Sequence, residues 1–377
     1  MDRRQLIAAA LAAATPFPAF AATRTRWKVR GSEGFDALCF LGPLSGKPFY
    51  AKYYVQDLGD FRPKFPAAAQ AALDRLQKVA DASGNLLGPG LCTLFSGAAD
   101  ATLADLLVSL DQAEEKLLPP YRKGEYWDAD SWAAFLAGRD DLRVVLRGLA
   151  EADFAAFRHS RIDARLAARA PELTTKLAGL DVIAEQERLL GRRLDPGIEI
   201  ILLWFSLPHG IRIQGQRFLS HVAYPDEIVI RIAGHEILHP PFPMDGAAAK
   251  AALAVLGADP LFTRIVAEHD PTFGYNSLEG VLNEDTVQAL DQIIAERLGF
   301  AAPPAKRWTD SDGGMHVLAA GLYGTLKAEG YDRTGGKIEA WMGNAAKSGK
   351  LAPEPLHAAA AQVLGRPADQ LWPLPKT

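Results

Sequence analysis

Between Ala184 and Ala223 the chain contains no alanine, although alanine is abundant on both sides. In its place stand branched and aromatic residues. Gly197-Ile-Glu-Ile-Ile-Leu-Leu-Trp-Phe205 reads as a strand ended by Pro208-His209-Gly210. Residues 211–218, Ile-Arg-Ile-Gln-Gly-Gln-Arg-Phe, alternate apolar and polar and predict a single half-buried or edge strand. Both flanks are helical in pattern. Apolar residues recur at helical spacing over 67–80, 103–108, 133–136 and 142–190, the last stretch broken at Ala170-Pro171, and helices return at Asp226. The pattern predicts an α+β fold with a boundary near 190–196. A mostly helical N-terminal region (22–195), to which the sequence assigns no role, precedes a second domain (196–377) that holds the small sheet.

The first residues carry a different signal. Arg3-Arg4 precede Leu6-Ile7, an alanine-rich apolar run follows, and Phe17-Pro18-Ala19-Phe20-Ala21 offers an Ala-x-Ala cleavage site. The run is too short to span a bilayer and is interrupted by Pro16 and Pro18. Residues 1–21 are therefore expected to be a cleaved signal peptide, its paired arginines resembling a twin-arginine address, and the mature protein to be periplasmic or secreted. No later stretch predicts a membrane span. At 49% hydrophobic and 23% charged residues the chain can bury a sizeable core. Its net charge of −4 offers nucleic acid no basic surface. Two cysteines exclude a disulfide scaffold, and the sequence leaves open whether Cys39 and Cys92 pair or stay as buried thiols.

Chemistry enters just after the strands, in Gly234-His235-Glu236-Ile237-Leu238-His239-Pro240-Pro241. His-Glu-x-x-His on a helix sets two imidazoles one turn apart on one face, where both reach a single zinc ion. The intervening Glu236 then stands where it can take a proton from water polarised by that ion. Asp226 is a plausible N-cap, and Pro240-Pro241 stop the helix after the second histidine.

Through His235-Glu236-Ile237-Leu238-His239 and the preceding strands, the sequence resembles the zincin metallopeptidases over roughly residues 197–300. Phe242 and Asp245 occupy the places of the glycine and third histidine of metzincins, which leaves the gluzincin type, with its third ligand on a later helix. That helix is expected over 276–298, stopped by Gly299. The resemblance implies Zn²⁺ held by His235, His239 and Glu284, because Asn283-Glu284 looks like the Asn-Glu pair carrying the third ligand in several gluzincins. A helical wheel places Glu279 nearer the Leu278/Leu282/Ile293 stripe than Glu284, so Glu279 stays a rival, as do His269 and Asp270. The family's ligand-orienting aspartate is missing four residues after Glu284, where Gln288 stands. Tyr275, His316 and Tyr323 are the candidate donors to a developing oxyanion. The implied activity is hydrolysis of a peptide or protein substrate. Two alternatives stay open: an inactive zincin-like binding or assembly protein, and a zinc hydrolase of non-peptide amides.

Overall fold

A computed structural model of the chain describes residues 23–124, 126–273 and 275–373. The leader expected at 1–21 lies outside them. Within them the protein is mostly helical around one four-stranded mixed sheet, an α+β architecture.

The alanine-free window builds the middle of that sheet. β2 (Gly197–Leu203) pairs in parallel with β1 (Arg26–Gly31) on one side and with β4 (Arg217–His221) on the other. β3 (Ile211–Ile213) closes the edge antiparallel to β4, giving the order β1-β2-β4-β3. Successive β2 side chains alternate between two cores. Ile201 and Leu203 join the phenylalanine-rich N-terminal core of Phe35, Phe40, Phe61 and Phe154. Ile198, Ile200 and Leu202 pack with Val229, Ile230 and Ala233 of the helix that follows the sheet and with Ile237 just past its end. Burial on both faces is why β2 reads as an unbroken apolar run.

Three expectations need correction here. Residues 211–218 form a hairpin rather than one strand, because Gly215 adopts φ +78° and turns the chain between Ile213 and Arg217. The break at Ala170-Pro171 is absent, and helix Phe154–Leu177 runs through Pro171. The carbonyl that Pro171 deprives of a donor belongs to Ala167, an exposed residue whose oxygen water can reach. Asp226 is the first helical residue, not the cap; Pro225 precedes it, and the Asp226 carboxylate pairs with Arg169 and Lys176 at 2.5 Å each.

β1 draws the sheet across residue 195, since it comes from the N-terminal side and pairs with β2 from Gly197 to Leu202. Cys39 and Cys92 are buried free thiols with their sulfurs 3.6 Å apart. No helix among the described residues is long and apolar enough to cross a membrane.

The loop between β2 and β3 rests directly on the motif helix Asp226–Glu236. A Cβ on Gly210 would meet the Ile232 side chain at 2.8 Å. Gly210→Ala is therefore expected to lower stability by about 1–2 kcal/mol through overpacking, measured by urea denaturation.

Candidate metal centre

The motif helix ends at Glu236, one turn earlier than the sequence suggests. His239 precedes a proline, which disfavours helical geometry for it, and Pro240 has no N–H to offer. The last turn tightens instead, with Leu238 N donating to His235 O at 3.0 Å. Side chains from elsewhere take up carbonyls near this end. Gln186 donates to Gly234 O at 2.9 Å, Arg212 to His239 O, and Arg192 to Pro240 O at 2.9 Å. His239 thus leaves the helix and still returns its ring to His235.

The two Nε2 atoms stand 3.0 Å apart. The Glu284 carboxylate reaches both, Oε1 at 3.4 Å from His235 Nε2 and Oε2 at 3.4 Å from His239 Nε2. Glu284 is buried, while the two imidazoles keep 16% and 20% of their side-chain surface, so the cluster has an open side. Glu279 lies exposed in the first turn of helix Leu278–Leu298 and is not part of it. His269 is turned away, its Nδ1 on Ile265 O at 2.8 Å.

Each member is held from behind. His235 Nδ1 faces Asp291 Oδ2 at 2.7 Å, and His239 Nδ1 faces Asn283 Oδ1 at 3.2 Å. Both acceptors take the Nδ1 proton and leave Nε2 to the shared centre. Asp291 is itself gripped by both terminal nitrogens of Arg307. Gln288 donates to Glu284 Oε1 at 2.9 Å and accepts from Trp308 Nε1 at 2.8 Å.

The electrostatics call for positive charge at this point. Burial works against the His235 imidazolium, yet Glu284 and Asp291 outweigh it and hold its pKa well above the usual value. Burial likewise opposes the Glu284 carboxylate, and the two histidines still hold its pKa well below the carboxylate range. Without a cation, a proton must separate the two Nε2 atoms. A divalent ion can replace it, since a tetrahedral ion with bonds of about 2.0–2.1 Å spaces its ligand atoms about 3.3 Å apart. The 3.0 Å between the two Nε2 atoms, and the 3.4 Å from each of them to one of the two Glu284 oxygens, are close to that spacing, and one donor atom from each residue can be chosen within 4.8 Å of the others.

Glu236 follows His235 directly and is half-buried. Tyr275 reaches the cluster from the loop before the long helix, in a left-handed conformation at φ +58° that a tyrosine rarely adopts. Burial first, and then the charges of Glu284, Asp312 and Glu236, push its phenol pKa up, so it stays a donor. The other two candidate donors are engaged. His316 is buried between Asp285 at 2.6 Å and Asp312 at 2.9 Å. Burial lowers its pKa, but these carboxylates overcome that and raise it to about 10. Tyr323 donates to Glu296.

The sequence reading missed Asp291 and Arg307. A signal for Asp291 was present, since Glu284, Gln288 and Asp291 share one helix face at i, i+4 and i+7, whereas Arg307 stands on a separate helix, Pro304–Asp310. Comparison of the chain with family models, with curated proteins and with solved structures returns no match.

Proposed function

We propose that this protein is an exported zinc-dependent hydrolase of peptide bonds, a zincin-like metallopeptidase of the gluzincin type. The observation that carries the reading is the convergence of His235 Nε2, His239 Nε2 and Glu284, whose two carboxylate oxygens each lie 3.4 Å from one of the histidines, with both imidazoles partly exposed and Glu236 following His235 in the chain. Two imidazoles and one carboxylate are the donor set of a catalytic zinc site that keeps its fourth position for water or substrate.

Zinc bound there would polarise the scissile carbonyl and make water more acidic. The chain's own residues do the rest. Glu236 takes the proton of the attacking water and delivers it to the leaving amine. The Tyr275 hydroxyl, lying against Glu284, can turn to the oxygen on which negative charge develops. Asp291 and Asn283 fix the tautomers of the two histidines, and Gln288 fixes the carboxylate.

The purified chain should contain one zinc per molecule and cleave members of a mixed peptide library. A chelator should stop cleavage, and added zinc should restore it. A chain that binds zinc and cleaves no peptide would overturn the reading.

A further inference from the structure

A cavity of about 540 Å³ begins where the motif segment ends. Pro241 and Phe242, two and three residues beyond His239, form one wall. The floor comes from small residues on two packed helices, Ala248 and Ala251 of Ala247–Leu256, and Ala340 and Gly343 of Ile338–Lys347. Its rim is cationic: Arg192, Lys337 and Lys347 line it, against the single carboxylate of Glu339.

Among the described residues Lys337 and Lys347 pair with no carboxylate, whereas nearby Lys327 and Lys350 are paired with Glu296 and Glu329. Arg192 also ties the cavity to the metal centre, because its guanidinium holds the carbonyl of Pro240, the residue after the second histidine. A volume of this size suits several residues of an extended ligand. The shallow alanine floor leaves room for a backbone, and the rim selects negative charge.

We infer that the cavity binds an acidic peptide segment, its carboxylates meeting Arg192, Lys337 and Lys347. Resting on the function proposed above, this segment belongs to the substrate and lies to one side of the scissile bond. The enzyme then prefers peptides with clustered Asp or Glu on that side.

The test uses the full chain carrying Glu236→Gln, so that binding is read without turnover. Labelled hexaglutamate should bind at least about tenfold more tightly than labelled hexaglutamine in about 50 mM salt, and the difference should collapse near 0.5 M salt. Adding Lys337→Glu and Lys347→Glu, both exposed positions, should remove the preference with the thermal midpoint unchanged. Equal binding of the two peptides, or an undiminished preference in the lysine variant, would overturn the inference. The two proposals fail separately. A wild type that cleaves neutral peptides but ignores hexaglutamate loses the cavity, and one that binds hexaglutamate but cleaves nothing loses the hydrolase.

Discussion

The Glu236→Gln chain is expected to bind one zinc ion as the wild type does and to turn over peptides about 10³-fold more slowly. Glu236 lies outside the three-residue cluster, so an isosteric amide there leaves all the metal-binding groups in place. What disappears is the group that accepts the proton of the attacking water and hands it on to the amine. General acid–base catalysis by one positioned side chain contributes about 10²–10⁴ in rate, and 10³ corresponds to about 4 kcal/mol of barrier. The checks are zinc stoichiometry by elemental analysis and kcat on any peptide the wild type cleaves. Full turnover by the variant would remove Glu236 from the mechanism. Loss of zinc together with turnover would instead make it part of the metal site.

The motif pair His235 and His239 was legible because spacing along one short segment is local information. The residues that make the pair useful were not, and the long helix shows why. A helical wheel favoured Glu279 over Glu284 on the assumption of one buried and one solvated face. In the fold this helix is central: Val281, Leu282 and every residue from Glu284 to Ala295 are buried, so it has no solvated face for most of its length. On such a helix a polar residue away from the apolar stripe is not thereby exposed, and each buried one needs a partner. Glu284 finds the two histidines, Gln288 finds Trp308, Asp285 finds His316, and Asp291 finds Arg307. None of these partners lies within the same helix, and the sequence does not print them side by side. β1 was overlooked for a different reason. Trp27 and Val29 alternate with Arg26, Lys28 and Arg30 in the pattern of a half-buried strand, but the segment stands 165 residues before the strand it pairs with.

Asp291→Ala should be the most damaging substitution behind the metal centre, and it should act in two separable ways. Asp291 and Arg307 are a buried pair, with 2% and 7% of their side-chain surface exposed. Burial opposes the charge on Asp291, and Arg307 and His235 together more than offset it, holding the carboxyl pKa below its usual value. Removing the carboxylate leaves a buried guanidinium that keeps a hydrogen bond to Gln292 at 3.0 Å and the face of Trp308 but has no anion among the described residues to pair with there. An uncompensated buried charge costs about 3–5 kcal/mol, to be read as a shift in the urea midpoint. The same change frees His235 Nδ1 and with it the ring's tautomer and tilt, which should weaken zinc binding by about 10–100-fold. Adding Arg307→Met to Asp291→Ala separates the two effects. The double variant removes the orphaned charge and should recover most of the lost stability, while zinc affinity stays low because nothing orients His235. If the double variant regained zinc affinity along with stability, Asp291 would be supporting the fold rather than the metal centre.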